Sequence, residues 1–407
     1  MFAAGDPLFA EGVDFGVVMI VVLKTVVVFG FLMTATALMI WFERKLVGDF
    51  QNRIGPNRAG PFGILQSAAD GIKLFFKENL LPERGDHRVY RLAPYITVLP
   101  AFLTFSVIPM GGSFSGGDVG TVHIFGHDTF LQLADPPIGV LFVLAMSSIA
   151  VYGVMLAGWS SGSKYPLLGA VRASGQMISY EAALGLSLAA VVLVSQTLST
   201  HDIVMWQAGP GRGDLIPNWN LIVTGVVPFV IFLIAGTAEL ERPPFDLLEA
   251  EQELVAGFAT EYSSVRFTYF FLASFMNVIT MSAIIVTLFL GGPAGPAFFG
   301  PEWVWGFVWF FAKLLVLLYT FVWFRATLPR FRYDQLMDLG WKVMIPLALG
   351  WLLLIAAIRV ADDDSAVPAI VIGAGTVFAA SVLMLAVQVG RRRRELVAGA
   401  GGGEVWS

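Results

Sequence analysis

Long apolar runs constrain the fold of this 407-residue chain more than any other feature. A helix needs about 20 apolar residues to cross a bilayer. Nine runs approach that length, near 16–42, 93–110, 136–158, 176–195, 219–238, 267–290, 303–324, 343–360 and 367–390. Hydrophobic residues make up 57% of the chain and charged residues 14%, against roughly half and a quarter in soluble domains. We therefore predict an all-α polytopic membrane protein with about nine transmembrane helices.

The lysines and arginines predict how the chain is oriented in the membrane. Nearly all of the 25 lie in connections that follow odd-numbered runs. Because positive charge is retained on the cytoplasmic side, we predict an outer N-terminus and a cytoplasmic C-terminus. We expect residues 1–390 to form one membrane domain and the arginine-rich segment 391–407 to be a disordered cytoplasmic tail.

The segment AELERPPFDLLEAEQELVAGFATEY, from Ala238 to Tyr262, is an exception to this charge rule. Its seven carboxylates are Glu239, Glu241, Asp246, Glu249, Glu251, Glu253 and Glu261. Pro243 and Pro244 predict the end of the preceding helix, since proline has no N–H to donate. An acidic run is most often a solvated loop. Here apolar residues interleave with the carboxylates, and clustered carboxylates in apolar surroundings can hold a proton near neutral pH. The pattern favours proton handling.

The first predicted cytoplasmic connection, 43–91, contains an amphipathic helix. Its polar stripe combines acidic and basic residues at helical spacing: Gln66, Asp70, Lys73 and Lys77. One interpretation is a helix that lies in the membrane interface with its apolar face in lipid. The other is a helix whose polar stripe lines a water-filled cavity. The pattern leaves both open.

Glu181 lies within the fourth apolar run. A charge at the bilayer centre costs about 2.5–3.5 kcal/mol on insertion scales, so such residues usually face a polar path or a bundle interior. Lys24 and Lys313 also lie within runs, but a lysine can extend its amine to the interface. Glu181 is therefore the stronger functional candidate.

The residue types exclude a redox centre held by this chain. It has no cysteine, so thiolate-bound iron–sulfur clusters are ruled out. Its four histidines all lie outside the apolar runs, which argues against a haem held between spans. We expect no covalently bound or ligated cofactor, no metal and no catalytic residue in this chain. Electron chemistry would require a partner or a diffusible substrate.

Three stretches together are specific enough to indicate a family. They are ERKLVGDFQNRIGPNRAGPFGILQSAADGIKLFFKE, VRASGQMISYE and AELERPPFDLLEAEQELVAGFATEYSSVRF. They resemble the membrane subunit at the junction with the peripheral arm in proton-pumping NADH:quinone oxidoreductase, respiratory complex I. This is the H subunit of the bacterial enzyme and the counterpart of NADH dehydrogenase subunit 1 in mitochondria. The resemblance covers about residues 15–342, and the last run and basic tail are similar to bacterial forms.

This resemblance implies a subunit that forms much of a quinone chamber and couples quinone reduction to proton translocation, mainly through segments 43–91 and 238–266. The implied chamber residues are Arg44, Arg53, Asp70, Lys73, Arg242 and Asp246. The implied proton-coupling residues are Glu181, Glu239, Glu249, Glu251, Glu253 and Glu261. Together the second group predicts a carboxylate line from the chamber into the membrane.

The resemblance also implies substrate, partners and location. Ubiquinone or menaquinone would be the substrate, and FMN and iron–sulfur clusters would reside in partner subunits. The partners would be peripheral-arm subunits at the quinone site, small membrane subunits and antiporter-like subunits. The chain would lie in the bacterial plasma (inner) membrane, in contact with lipid and with no nucleic acid.

Other functions fit parts of the pattern. The membrane subunit of an energy-converting hydrogenase or formate hydrogenlyase carries a similar acidic loop, but the stretch GPNRAGPFGILQSAADGIKL favours quinone. A carboxylate-lined ion transporter that works alone would use the same intramembrane charges, and it predicts paired broken helices. A pure assembly scaffold would leave Glu181 unexplained.

Overall fold

The computed structural model describes residues 6–9, 12–114, 119–209, 218–246, 256–298 and 300–360, and within them it is almost entirely helical. The helices are α1 (Phe15–Phe50), α2 (Gln66–Phe76), α3 (His87–Phe105), α4 (Gly139–Ser160), α5 (Lys164–Ser195), α6 (Thr200–Ala208), α7 (Asn220–Val223), α8 (Val226–Glu239), α9 (Ser264–Phe289), α10 (Glu302–Thr327), α11 (Tyr333–Leu339) and α12 (Ile345–Val360). A short antiparallel hairpin, β1 (Thr121–Ile124) and β2 (His127–Phe130), places Thr121 opposite Phe130.

Six helices are long and apolar enough to cross a membrane: α1, α4, α5, α9, α10 and the stretch Tyr333–Val360. That last stretch joins α11 to α12 through a π-helical turn at Gly340–Met344. The predicted all-α membrane fold is confirmed. The described residues do not reach the predicted count of nine spans, and the ninth run and the tail 391–407 lie outside them.

Two predicted spans fall short for physical reasons. Helix α3 carries Arg88 and Arg91 near its start, which lowers its apolar character. The run 219–238 is divided between α7 and α8 by Gly225, whose φ of +79° suits glycine. Helix α8 then has 14 residues, about 21 Å at 1.5 Å per residue. That is shorter than a hydrocarbon core of about 30 Å.

Helix α9 occupies the centre of the bundle. Its most apolar stretch is 78% buried, more than that of any other candidate span. The core around it contains Phe232, Met276 and Phe289, all almost fully inaccessible. Two glycines of α4 allow it to pack closely against its neighbours. A Cβ at Gly153 would collide with Thr97 of α3, and one at Gly158 would collide with Ala170 of α5. The packing of the core therefore depends on the short distances between helices as well as on the volume of the apolar side chains.

The connections gather at two ends of the bundle. At one end, the segments 51–86, 161–163, 240–246, 256–263 and 328–332 contact one another. For example, the Asp86 N–H donates to the Ser160 carbonyl (3.1 Å), and the Phe331 N–H donates to the Pro244 carbonyl (3.0 Å). We call this the acidic-loop end. The opposite end, which holds the hairpin and the segments 106–114, 119–138, 196–199, 290–298 and 300–301, is called the hairpin end.

Candidate functional site

A first cavity of about 470 Å³ opens beside α2 at the acidic-loop end. Asp70 accepts hydrogen bonds from Arg44 (2.5 Å) and Gln66 (3.2 Å), and Lys73 lies 3.5 Å from it. Partial burial alone would raise the pKa of Asp70, but the Arg44 hydrogen bond and charge outweigh it and hold that pKa below its usual range. The first cavity therefore presents a fixed carboxylate between two cations.

The two faces of α2 fit the two interpretations of the amphipathic pattern. Its polar residues Gln66, Asp70 and Lys73 line the first cavity. Its apolar residues Ile72 and Phe76 are exposed on the surface of this chain. One face of the helix is thus suited to a polar cavity and the other to lipid or a partner.

A second cavity of about 360 Å³ lies further along the same end. Arg242, Asp246 and Arg325 contribute its charged lining. Phe267 and Phe271 of α9 line both cavities, and their stacked rings have centroids 6.2 Å apart. These two aromatic side chains therefore separate a space near α2 from a charged space under the acidic loop.

The turn that carries the second cavity is held from several sides. The Gln176 Nε2 of α5 donates to the carbonyls of Ala238 (2.7 Å) and Phe245 (2.9 Å). The buried Asp246 carboxylate accepts a hydrogen bond from Arg330 at 3.2 Å. The Arg242 guanidinium also lies 4.5 Å from the ring centroid of Phe275. These contacts fix the direction of the charged side chains at the cavity.

Glu43 is the functional candidate that sequence reasoning missed. It is buried near the end of α1 and forms ion pairs with Arg242 (3.1 Å) and with Arg325 of α10. One carboxylate therefore joins α1, the acidic loop and α10 beneath the second cavity. Its sequence signal was a glutamate that directly follows a long apolar run, where a charge is expensive to bury without partners.

The structure brings Glu239 and Glu181 to neighbouring positions. Ser147 of α4 donates a hydrogen bond to Glu239 of α8, and the next residue, Ser148, donates to Glu181 of α5. Two carboxylates from different helices thus meet consecutive serines of a third helix. Helix α8 ends at Glu239, before the predicted proline stop. Glu239 and Glu181 are therefore brought close together through α4, while the rest of the predicted carboxylate line stays a prediction.

The remaining predicted site residues are placed differently. Arg53 donates to Gln51 (2.7 Å) and is not among the described residues that line either cavity. Glu261 is also not among the described lining residues, and its backbone carbonyl accepts from the Tyr90 hydroxyl (2.7 Å). The other predicted coupling residues, Glu249, Glu251 and Glu253, lie outside the described residues.

Comparison with known proteins shows the family to which this chain belongs. Residues 23–356 match the model of the family described as NADH dehydrogenase. The chain belongs to this family. It is 48% identical over 385 residues to a protein of Frankia alni named as the H subunit of NADH-quinone oxidoreductase, and the match covers 93% of this chain and 82% of that protein.

Two further relatives carry the same name. The protein of Frankia casuarinae is 48% identical over 385 residues, with the same coverage of 93% and 82%. The protein of Streptomyces avermitilis is 47% identical over 352 residues, which is 85% of this chain and 74% of that relative. The region that matches the family model, 23–356, thus includes all six candidate membrane spans except the start of the first and the end of the last.

Proposed function

We propose that this chain is the membrane subunit of a bacterial NADH:quinone oxidoreductase. It forms much of the quinone chamber and couples quinone reduction to proton translocation. The single observation that carries this proposal is the pair of adjoining cavities at the acidic-loop end. Apolar aromatic rings adjoin a charged inner space there, which suits a ligand with a polar headgroup and an apolar tail.

The chemistry divides between this chain and its partners. Reduction of a quinone to a quinol takes two electrons and two protons. The chain has no cysteine to hold an iron–sulfur cluster. The resemblance implies that electrons pass from NADH through FMN and iron–sulfur clusters in partner subunits. The chain itself positions ubiquinone or menaquinone and holds charge near it. Arg44, Asp70 and Lys73 act at the first cavity, and Arg242 and Asp246 act at the second.

Coupling runs through the carboxylates. Reduction changes charge and proton demand in the chamber, and carboxylates that interact strongly titrate as a set. Glu239 and Glu181, held by neighbouring serines, pass this change from the chamber into the membrane. Arg53, Glu249, Glu251, Glu253 and Glu261 complete the proposed site on the strength of the resemblance.

The proposed assembly rests on the resemblance, and the position of the cavities supports it. Peripheral-arm subunits would cover the acidic-loop end, while small membrane subunits and antiporter-like subunits would lie beside the helices in the lipid. We place the chain in the plasma membrane with the N-terminus outside and the C-terminus in the cytoplasm. Residues 1–390 form one membrane domain and 391–407 a basic tail.

A pull-down of the tagged chain in mild detergent tests the proposal. The purified complex should reduce quinone with NADH, and a quinone-site inhibitor should abolish that activity. A complex that evolves hydrogen instead would indicate the hydrogenase relative. A chain that purifies alone and conducts ions in liposomes would contradict the proposed function.

A further inference from the structure

Two small interior cavities lie between Glu239 and the hairpin end. The first is bordered by Glu239, Ser147, Asn277 and Thr280, and a water-sized sphere's centre can occupy about 50 Å³ of it. A buried water needs about 10–15 Å³ on that measure. The first interior cavity therefore has room for several waters next to a carboxylate.

The second interior cavity continues towards the hairpin end and offers about 10 Å³ on the same measure. Its hydroxyl-bearing walls are Thr200 and Thr287. Val143, Leu188 and Ile284 line both interior cavities. The two spaces are therefore neighbours, and the second is about large enough for one water.

Buried polar atoms without a hydrogen-bond partner lie along this line. Among the described residues they include Thr280 Oγ1 in the first interior cavity and Gln132 Oε1 and Asp202 Oδ1 at the hairpin end. These residues are only 3%, 2% and 5% exposed. Since a buried polar group without a partner is costly, each of these atoms indicates a position for water.

The hairpin end continues the line to the surface. Gln132 Nε2 donates to Thr200 Oγ1 (2.9 Å), which borders the second interior cavity. The preceding residue, Ser199, donates to Asp135 Oδ1 (2.8 Å), and its hydroxyl oxygen accepts from the Asp202 N–H (3.2 Å). Asp135 is half-buried, and this burial raises its pKa to about 6. Its carboxyl can therefore exchange protons with solvent near neutral pH.

We propose that a hydrated path inside this chain joins Glu239 to Asp135 and Asp202 and carries protons across the bundle to the hairpin end. The inference rests on the proposed function, which supplies protons to Glu239. Protonated Glu239 gives its proton to the first water and is left as a carboxylate, which the chamber side protonates again. The proton passes along water from the first interior cavity through the second, binds Asp202, moves on to Asp135 and leaves to the solution.

The absence of cysteine from this chain provides a direct test of water access. Thr280→Cys places the chain's one thiol in the first interior cavity of the intact complex in sealed membrane vesicles. Silver ion, which is close to water in size, is added from the hairpin side. Remaining free thiol is then counted on the denatured chain. The matched control is Ala283→Cys, fully buried on the same helix but outside both lining sets.

Because a thiol ionises and reacts only where water reaches it, we expect silver to capture Thr280→Cys about tenfold faster than Ala283→Cys. A second measurement follows protons translocated per electron pair in proteoliposomes. That ratio should fall in Asp202→Asn and stay unchanged in Asp128→Asn, an exposed carboxylate at the same end.

Equal silver rates in the two cysteine variants, or an unchanged proton ratio in Asp202→Asn, would overturn the path. Such failures would leave inhibitor-sensitive quinone reduction by the unmodified complex intact. Loss of the proposed function itself would appear instead as no quinone reduction in that complex. The two failures are therefore distinguishable.

Discussion

The two ends of the bundle bury charge in different ways. At the acidic-loop end, Glu43 is shared between Arg242 and Arg325, and these arginines border the second cavity. At the hairpin end, buried Lys24 pairs with Asp6 (2.8 Å). There the charge joins an N-terminal segment to the bundle. The Glu43 ion pairs therefore orient arginines at a cavity, whereas the Lys24 ion pair closes a segment onto the bundle.

Lys313 is a second cation at the hairpin end whose role is structural. Its Nζ lies 2.8–2.9 Å from the carbonyl oxygens of Leu290, Gly292 and Ala294. It also lies 5.1 Å from the ring centroid of Trp219. Backbone carbonyls thus use all three of its donors. This lysine closes the loop after α9, and it needs no ligand to account for its place within a span.

The largest expected effect comes from removing the shared carboxylate at the acidic-loop end. Glu43→Gln leaves two guanidinium groups without their common anion, and breaking a buried pair in this way costs about 3–5 kcal/mol. We expect a marked loss of assembled complex on native gels and a lower thermal midpoint. The control Glu83→Gln changes an exposed glutamate and should behave as wild type. Normal assembly of Glu43→Gln would show that the shared ion pair is dispensable.

The hairpin end should respond locally. Lys24→Met leaves the half-buried Asp6 carboxylate without its cation, at a cost of about 1–3 kcal/mol. We expect faster proteolysis of the N-terminal segment with quinone reduction retained. Adding Asp6→Leu removes the orphan charge and should restore resistance to protease. Loss of quinone reduction in Lys24→Met would contradict the assignment of this pair to loop closure.

A smaller effect is expected at the turn that carries Asp246. Arg330 is half exposed, so its ion pair with Asp246 contributes about 1 kcal/mol or less. Arg330→Gln should loosen the turn and raise the apparent KM for quinone up to roughly fivefold, the factor that corresponds to about 1 kcal/mol. Arg84→Gln, an exposed arginine at the same end, serves as the control. An unchanged KM would separate this ion pair from substrate binding.

The smallest effect on stability is expected at Asp70. Its partner Arg44 has 43% of its side chain exposed, so the pair contributes about 0–1 kcal/mol to stability. Because the pKa of Asp70 is below its usual range, its stabilising charge is present above that range and is lost only as pH falls through the lowered value. The ratio of quinone KM values between Asp70→Asn and wild type should therefore be equal at pH 6 and pH 8. A ratio that approaches one at pH 6 would contradict this, and Asp49→Asn is the exposed control.

Sequence reasoning succeeded where one-dimensional pattern determines structure. Apolar runs located the long helices, whereas the charged stripe on α2 left a cavity wall and an interfacial helix equally open. It failed where the structure depends on local backbone conformation or on how the helices rotate and pack against one another. The break at Gly225 depends on a backbone conformation that the apolar run conceals. The placement of Glu239 and Glu181 on consecutive serines, and the role of Glu43, depend on which faces of α1, α4 and α10 meet.

The most direct test of the central claim is the number of protons translocated per electron pair by the complex carrying Glu181→Gln. This substitution keeps the shape of the side chain at Ser148 and removes the ionisable group. We predict that the complex assembles but that proton translocation falls, with quinone reduction either uncoupled or slowed. Glu302→Gln, an exposed glutamate at the hairpin end, should match wild type. Full quinone reduction with full proton translocation in Glu181→Gln would contradict the account.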